Sequence, residues 1–284
     1  MVNISWQEAC QIDTSLISLT TFFSSPPLSV QPLTGGLTNR CWKITLSSGI
    51  SYVWRPTTTV TAAFGISRQR EHQVLSALQT TGIAPQPVVL NTHGLLVEWL
   101  EGEALHDGTT PSELTSLLAR VHKIDPQRLS IPRFDFTRYI EHYWQQLDEQ
   151  YKTPAVIACY QRWRHAPTLE FITPVLCHCD LAGYNLVRSE KGMQVIDWEY
   201  ATLADPRLDL ALTIGAAALS LPEIVHHYCK QSHISHYSVW EEGVRAWQPR
   251  TQLMAMLWYL LAYQLWNDAI YWDYAQQIIN EFGF

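Results

Sequence analysis

Two short polar clusters contain the residue types that could do chemistry in this chain. Residues 178–185 read HCDLAGYN, and residues 196–200 read IDWEY. Each cluster follows a short apolar run, and a protein core does not tolerate such polar side chains unpaired. Asn185 and Asp197 offer the oxygen ligands that Mg²⁺ prefers, with substrate phosphates completing the coordination. Asp180 would then be a carboxylate that can contact a hydroxyl group of a substrate.

Other site chemistries lack their key residues. The motif Cys177-His178-Cys179 contains a C-x-C pair, but no second cysteine or histidine pair follows at zinc-finger spacing. The sequence has neither the G-x-S-x-G of a hydrolase nor the G-x-x-x-x-G-K-[ST] of a P-loop. Taken alone, Asp180 would be interpreted as a turn or helix-capping aspartate, so the case rests on its neighbours.

The composition limits the possible partners. The chain has 284 residues, of which 47% are apolar and 16% charged, and this excludes a disordered protein. A formal charge of −7 argues against a nucleic-acid partner. The start of the chain lacks a signal-peptide pattern, and the longest apolar stretch, residues 253–266, is too short for a bilayer crossing. Scattered cysteines without a CxxC pair suit a reducing compartment. We expect a cytoplasmic protein without a membrane partner, whose oligomeric state stays open.

The elements that must position these residues change in character near residue 100. Before it, short β-branched and aromatic runs predict a small antiparallel sheet with one main helix at 67–78. After Gly102 the pattern is mostly helical, with short strands at 175–177 and 194–196. A strand, a tight loop and a second strand would hold Asp180, Asn185 and Asp197 around one small volume. The predicted sheet strands are 28–33, 40–46, 50–55, 88–90 and 95–99, and the predicted later helices are 111–122, 139–150 and those from 208 onward.

These motifs resemble those of the aminoglycoside phosphotransferase and choline kinase family, the small-molecule relatives of protein kinases. The family's catalytic loop, H-x-D-x-x-x-x-N, is matched by His178, Asp180 and Asn185. Its metal-binding aspartate context is matched by Asp197 and Glu199, and its downstream D-P-x-x-D-L by residues 205–210. A random chain would contain the first motif only about one time in a hundred. The resemblance spans most of the chain.

The resemblance implies an α+β, bilobal protein-kinase-like fold. A small antiparallel β-sheet N-lobe with one main helix, residues 1–98, would bind the nucleotide. A larger, mostly helical C-lobe, residues 99–284, would carry catalysis and the substrate site. By carry-over, Asp180 accepts or orients the proton of the substrate hydroxyl, while Asn185 and Asp197 hold Mg²⁺ against the phosphates of ATP. His178 would brace the loop through hydrogen bonds. Asp209 would tie the same loop down, or else simply cap a helix.

In the N-lobe the resemblance implies a turn that covers the phosphates, formed by Gly35, Gly36, Thr38 and Asn39. Glycine lets backbone N–H groups approach phosphate closely. The turn departs from the protein-kinase G-x-G-x-x-G and is similar to the Gly-Gly-x-[Ser/Thr]-Asn form of choline and thiamine kinases. Without its context, a Gly-Gly between two strands would be a plain hairpin turn.

Four further positions follow from the same resemblance. Arg55 stands where protein kinases carry a lysine, and a guanidinium can grip phosphate oxygens bidentately. Its expected partner is Glu71 on the helix, although a glutamate among neighbouring charges is often just part of a solvated face. The backbone of Glu98 and Leu100 would meet adenine at the hinge between the lobes.

The acceptor must be inferred from the aromatic C-terminal helices. Most of these aromatic side chains should fill a core, but a few could receive a quaternary cation on their faces. Glu199, Trp266 and Trp272 are the expected contacts of this cation, and Asp180 that of the substrate hydroxyl. Aminoglycoside phosphotransferases need several carboxylates in this lobe, whereas the acidic residues here are widely spread.

Aromatic richness and acidity therefore favour a compact cationic alcohol. Within the family the chain is most similar to bacterial thiamine kinases, which implies ATP- and Mg²⁺-dependent phosphorylation of thiamine to thiamine monophosphate. Choline or ethanolamine kinase and aminoglycoside phosphotransferase activity remain open as alternatives, as does GTP as the donor. An alternative of a different class is a catalytically silent pseudokinase that only binds its ligand.

Overall fold

The computed structural model describes residues 3–33, 41–105 and 109–284. The predicted phosphate-covering turn, with Gly35, Gly36, Thr38 and Asn39, lies outside the described residues. The helices are α1 (Trp6–Ile12), α2 (Thr59–Ala63), α3 (Arg68–Leu78), α4 (Pro111–His122), α5 (Phe136–Gln146), α6 (Pro154–Trp163), α7 (Pro206–Ala216), α8 (Leu221–Gln231), α9 (Tyr237–Trp266) and α10 (Ala269–Glu281). The strands are β1 (Ser29–Pro32), β2 (Trp42–Thr45), β3 (Ser51–Pro56), β4 (Pro87–Asn91), β5 (Gly94–Glu98), β6 (Glu103–Leu105), β7 (Val175–Cys177), β8 (Leu186–Ser189), β9 (Gly192–Val195) and β10 (Thr202–Ala204).

The chain divides into two compact units. The first unit comprises Met1–Ala104 together with Val187–Glu199, and the second comprises Leu105–Leu186 together with Tyr200–Phe284. The first contains a five-stranded antiparallel sheet, while the second is mostly helical. This is the α+β organisation that the sequence predicts.

The sheet of the first unit is ordered β1-β2-β3-β5-β4, with every neighbouring pair antiparallel. Trp42 and Trp54 face each other in register across β2 and β3, and both are buried. Their indole N–H groups donate to Asp13 and Ser15, each at 2.8 Å, so the polar edge of each ring is satisfied. Because side chains alternate along a strand, Arg55 points away from this tryptophan core, to the other face of β3.

Helix α3 packs in the first unit through one face that combines apolar and charged residues. Ser67 caps the helix by accepting a hydrogen bond from the Arg70 N–H. Val74, Leu75 and Leu78 are buried at helical spacing, as predicted. Glu71 shares that face and is only 2% exposed. A buried carboxylate requires a charged or hydrogen-bonding partner, and this places Glu71 in the site described below.

The second unit is built around α4, α7, α9 and α10. Helix α4 has the bounds that the sequence predicts, since Thr110 and Glu113 form a capping box and Pro111 is its first residue. The apolar stretch 253–266 lies within the 30-residue helix α9 and is largely buried. No helix within the described ranges is long and apolar enough to cross a membrane.

The structure corrects several predicted boundaries. Helix α5 begins at Phe136 rather than at residue 139, because the Asp135 side chain caps it by accepting from the Arg138 N–H. Helix α7 begins at Pro206 rather than at residue 208, because Asp205 caps it. Helices α1, α2 and α6 were not predicted. Helix α1 starts with a Ser5–Glu8 capping box, and α6 with Thr153 followed by proline, and both are readable signals.

Gly243 allows α9 to approach α7, and this contact should be sensitive to a single methyl group. A Cβ at residue 243 would lie 2.4 Å from Cδ of Arg207, which is 1% exposed and held by Asp205. We expect Gly243→Ala to lower the free energy of unfolding by about 1–3 kcal/mol through overpacking.

The matched control is Gly215→Ala, since nothing lies within 4 Å of a Cβ placed at this exposed glycine of α7. That variant should gain about 0.5–1 kcal/mol from reduced backbone entropy. Urea unfolding of both variants measures the difference. Equal effects of the two substitutions would contradict this packing account.

Candidate active site

The loop after β7 is held by the buried carboxylate of Asp209. The backbone N–H of His178 donates to Asp209 Oδ2 at 2.9 Å, and that of Cys179 donates to Oδ1 at 2.8 Å. Cys179 has a φ of 66°, a left-handed conformation that a side chain with a Cβ rarely adopts. The two hydrogen bonds compensate this strain and fix the residue that precedes Asp180. The alternative, that Asp209 caps a helix, is wrong, because Asp205 caps α7.

The buried side chain of His178 also stabilises this loop. Its side chain is fully buried, and its Nδ1 accepts a hydrogen bond from the Asp180 N–H at 3.2 Å. The contact belongs to the backbone of Asp180 and leaves the carboxylate for other partners. This geometry is that of a bracing residue.

His122 also helps to hold the loop, and it was not predicted from the sequence. Asp209, His178 and His122 are together called the loop brace. The Nε2 of His122 lies 3.0 Å from Asp209 Oδ2, and its Nδ1 lies 2.7 Å from the hydroxyl of Tyr228. His122 is the last residue of α4, one turn after the buried Leu118. Its position on the apolar face of α4 was the signal in the sequence that could have identified it as a buried, hydrogen-bonded histidine.

The brace also determines the ionisation of Asp209. Burial acts to raise the pKa of this carboxyl, but the hydrogen bond and charge of His122 and the backbone donor at Cys179 hold it below its usual value. Cys177 lies close enough to Asp209 and His122 to suggest a metal site by position alone. Both oxygens of Asp209 and both ring nitrogens of His122 already have hydrogen-bond partners, so these residues form a structural network.

Asp180 and Asn185 meet within the loop. The Asn185 Nδ2 donates to the Asp180 carbonyl oxygen at 2.8 Å and to its carboxylate Oδ2 at 3.0 Å. Because the nitrogen of this amide faces Asp180, its oxygen Oδ1 is the atom that remains to face a cation. Asn185 is 5% exposed. The donor set therefore fits Mg²⁺, which prefers oxygen ligands.

In the first unit, two arginines and three carboxylates form one buried charge cluster. Arg55 Nε lies 2.8 Å from Glu71 Oε1, and Arg55 Nη2 contacts Asp197 Oδ1 at 2.5 Å and Glu199 Oε2 at 2.8 Å. Arg68 Nη1 contacts Glu71 Oε2 at 2.5 Å and Glu199 Oε2 at 3.1 Å. The expected pairing of Arg55 with Glu71 is present. Arg68 was not anticipated, since it stood among neighbouring charges in the sequence.

The members of this charge cluster differ in access to solvent. The side chain of Asp197 is 29% exposed, whereas those of Glu71 and Glu199 are 2% and 3% exposed. Asp197 also has a left-handed backbone, with φ at 64°, two residues after the end of the short strand β9. Nearby, the indole N–H of Trp198 donates to the Val195 carbonyl at 2.8 Å and fixes this turn. Asp197 is thus the carboxylate of the cluster that can accept an external cation.

Burial and charge act in opposition on the cluster. Burial disfavours the charge of Arg55, yet Glu71 and Asp197 hold the pKa of its guanidinium well above the usual value. Burial, reinforced by Asp197, raises the pKa of Glu199, while the two arginines oppose that rise. Burial likewise raises the pKa of the adjacent Cys41 thiol to about 11, so this cysteine is not a reactive thiolate.

The substrate contact expected for Glu199 stays a prediction, and the structure places this residue in the charge cluster of the first unit. Its carboxylate is 3% exposed and contacts the guanidinium groups of Arg55 and Arg68. A substrate cation would have to displace these partners in a buried environment, which is costly. The same position instead gives Glu199 a role in orienting Arg55.

The two hinge positions lie at the end of β5. The Glu98 N–H donates to the Gln86 carbonyl at 2.8 Å, and the Trp99 N–H donates to the Ser51 carbonyl at 3.2 Å. Leu100 follows the strand and is partly buried. The contacts of Glu98 and Leu100 with adenine stay predictions.

The aromatic residues of α10, together with those of α9 from Trp258 onward, form two groups in the second unit. The first contains Trp266, whose ring centroid lies 6.0 Å from Trp258 and 5.4 Å from Tyr271. Tyr259 belongs to it as well, at 5.5 Å from Trp258. The second group places Trp272 at 5.4 Å from Tyr263.

The first aromatic group includes a side chain that senses the charge of the catalytic loop. Burial, then Tyr274 and then the charge of Asp180 raise the pKa of Tyr259. Tyr259 therefore lies within electrostatic reach of Asp180. Tyr259 and Tyr274 were not among the expected contacts, whereas Trp266 was.

The three residues expected to converge are described in two units. Asp180 and Asn185 meet in the second unit, while Asp197 belongs to the charge cluster of the first. The meeting of all three stays a prediction.

The comparisons with known proteins agree with the loop and the fold. Residues 29–242 match the family model described as the phosphotransferase enzyme family. The chain therefore belongs to this phosphotransferase family.

Individual relatives are small-molecule kinases. The chain is 30% identical to a thiamine kinase of Escherichia coli O6:K15:H31 (strain 536 / UPEC) over 196 residues, which cover 67% of this chain and 68% of that protein. It resembles the ethanolamine kinase of Plasmodium vivax with a TM-score of 0.74 at 19% identity, covering 97% and 88% of the two chains. It resembles the choline kinase LicA of Streptococcus pneumoniae with a TM-score of 0.72 at 22% identity, covering 96% and 98%; LicA has also been solved with AMP.

These findings establish the class of the protein. It is a small-molecule kinase with an α+β, protein-kinase-like fold, and it transfers phosphate to a hydroxyl group.

The loop brace makes a prediction about stability. Because the folded pKa of Asp209 lies below its unfolded value, its contribution is complete above about pH 4 and is lost as pH falls through the folded pKa. We expect Asp209→Asn to lower the free energy of unfolding by about 2 kcal/mol at pH 7, since an amide cannot accept all of these hydrogen bonds.

Urea unfolding from pH 8 to pH 3 measures this effect. The difference between wild type and Asp209→Asn should be constant down to pH 5 and should shrink below pH 4. Asp148→Asn is the matched control, because Asp148 is exposed and makes no side-chain capping bond. A pH-independent difference would argue against a charged Asp209 as the brace.

Proposed function

We propose that the protein transfers the γ-phosphate of ATP to the primary hydroxyl of thiamine and produces thiamine monophosphate and ADP, with Mg²⁺ as the metal. The observation that carries the proposal is the Asp180–Asn185 loop, which belongs to the same unit as an aromatic group within electrostatic reach of Asp180. The similarity to a thiamine kinase over two thirds of the chain supports this acceptor.

Asp180 is the proposed catalytic residue. It would accept the proton of the alcohol as the alcohol oxygen forms its bond to the γ-phosphorus. The bond from that phosphorus to the oxygen bridging to the β-phosphate breaks, and ADP leaves with this electron pair. Asn185 would keep the Asp180 carboxylate oriented through Nδ2 while its own oxygen faces the metal. When bound, Mg²⁺ supplies neutralisation of the phosphate charges.

On the nucleotide side, Arg55 is the proposed phosphate ligand. Its Nε is held by Glu71, and its Nη2 bonds both Asp197 and Glu199. Arg68 shares Glu71 and Glu199, so these two carboxylates divide their charge between two guanidinium groups. Asp197, the exposed member of the cluster, would hold the metal together with Asn185. The turn with Gly35, Gly36, Thr38 and Asn39 would cover the phosphates, and Glu98 and Leu100 would meet adenine.

On the acceptor side, the aromatic group with Tyr259 and Trp266 suits a cation. A positive nitrogen over an aromatic face gains about 0.5–2 kcal/mol, depending on desolvation. Choline carries its positive nitrogen two carbons from a primary hydroxyl, and thiamine carries its primary hydroxyl two carbons from a positively charged thiazolium ring, so both would fit this chemistry. Trp266 is the stronger of the two expected tryptophan contacts, because Trp272 lies in the other aromatic group.

The proposed acceptor is tested by a coupled ADP-release assay over thiamine, choline, ethanolamine, aminoglycosides and sugars, each with ATP and with GTP. Thiamine with ATP should give the highest kcat/KM. A signal with choline and none with thiamine would overturn the proposed substrate and leave the kinase class intact. A protein that binds thiamine and releases no ADP with any acceptor would be the silent pseudokinase.

The role of Asp180 makes a kinetic prediction. Asp180→Ala should lower kcat by about 10²–10⁴-fold, because proton transfer to a positioned base contributes an effect of this size. The assay is ADP release at saturating ATP and acceptor. Glu223→Ala is the control, since Glu223 is an exposed carboxylate in α8. Unchanged turnover in the Asp180 variant would remove its proposed role.

A further inference from the structure

Tyr184 makes a short contact to the proposed catalytic carboxylate, and the reaction described above gives it no task. Its hydroxyl donates a hydrogen bond to Asp180 Oδ1 at 2.6 Å. A hydroxyl and a carboxylate at this distance form a charge-assisted bond, about twice as strong as a neutral one. The rest of the side chain is open, with 46% of Tyr184 exposed, so core packing does not explain the residue.

The bond from Tyr184 completes a two-point hold on Asp180. Tyr184 donates to Oδ1, while its neighbour Asn185 donates to Oδ2 at 3.0 Å. The terminal torsion of a carboxylate is broad, and one donor leaves the plane of the group free to rotate about that contact. Donors on both oxygens fix the plane. Because each carboxylate oxygen has two lone pairs, Oδ1 can accept a second hydrogen bond, from an acceptor alcohol, while Tyr184 stays bound.

The tyrosine ring is necessarily close to the same alcohol. The ring carries the hydroxyl that touches Asp180 Oδ1, and the alcohol must approach that carboxylate to lose its proton. In choline the charged nitrogen, and in thiamine the charged thiazolium ring, lies only two carbons from the reacting hydroxyl. An aromatic face at this position can therefore contact the cation.

We infer that Tyr184 is a positioning and specificity-determining residue for the acceptor, an inference that rests on the proposed role of Asp180 in phosphoryl transfer. The hydroxyl of Tyr184 sets the orientation of the base, and the ring of Tyr184 forms one wall of the site for the cationic part of the alcohol. The phenol keeps its proton throughout and takes part in no covalent step. The two functions reside in different atoms of one side chain, so they can be separated by substitution.

Tyr184→Phe keeps the ring and removes the hydroxyl. We expect kcat to fall about tenfold, as for loss of a hydrogen bond to a charged group, with the KM for the alcohol within twofold of wild type. Tyr184→Leu removes both features. It should show the same fall in kcat and, in addition, a KM for the cationic alcohol raised about three- to tenfold.

The experiment measures kcat and KM for the best alcohol of the acceptor screen, together with KM for ATP and the thermal unfolding midpoint. Tyr237→Phe is the matched control, since Tyr237 stacks on His226 at the start of α9 and should leave both constants unchanged. A merely structural role would shift the unfolding midpoint or both KM values and would not separate the Phe variant from the Leu variant.

The outcomes distinguish this inference from the proposed function. An active wild type with an unchanged kcat in Tyr184→Phe would overturn the positioning role. Equal KM values for the alcohol in the Phe and Leu variants would overturn the specificity role. A wild type that phosphorylates no alcohol would overturn the proposed function, and the inference with it.

Discussion

A single buried carboxylate, Asp209, supports the geometry of the catalytic loop. It accepts hydrogen bonds from two consecutive backbone amides, at His178 and Cys179, and it is bonded in turn by His122. Burying a charge is expensive unless it is fully hydrogen-bonded, and here both oxygens are used. These hydrogen bonds stabilise the left-handed backbone at Cys179, and this conformation sets the direction of the chain as it enters Asp180.

In the first unit, buried carboxylates are paired with arginines rather than with backbone amides. The cluster of Arg55, Arg68, Glu71, Asp197 and Glu199 has one more negative than positive charge when all members are ionised. Its buried carboxylates share the two guanidinium groups, and its more exposed one has a strained backbone. A magnesium–nucleotide complex would bring a cation for Asp197 and anionic oxygens for Arg55. The proposed ligand therefore complements both members of the Arg55–Asp197 ion pair.

The sequence predicted those parts of the protein that depend on local signals. Helix α4 was predicted to the residue, because Thr110, Pro111 and Glu113 mark its start. The contact between Asp180 and Asn185 followed from a spacing of five residues within one loop. The pairing of Arg55 with Glu71 required the family resemblance, since the two residues lie on different elements.

What the sequence could not provide depends on long-range packing. His122 reaches Asp209 across 87 positions of the chain, and Arg68 reaches Glu199 across 131. No local pattern specifies such partners. The two buried arginine partners of Glu199 were not predicted for the same reason, because both lie far from it along the chain. The role inferred for Tyr184 required the distance from its hydroxyl to Asp180.

The proposed mechanism depends most on one metal ion that Asn185 and Asp197 would hold against the nucleotide. The direct measurement is a titration of Mn²⁺ followed by electron paramagnetic resonance, in the presence of a non-hydrolysable ATP analogue. The account predicts tight Mn²⁺ binding by the wild-type complex and affinity at least tenfold weaker in both Asn185→Ala and Asp197→Ala. Wild-type Mn²⁺ affinity in either variant would contradict it.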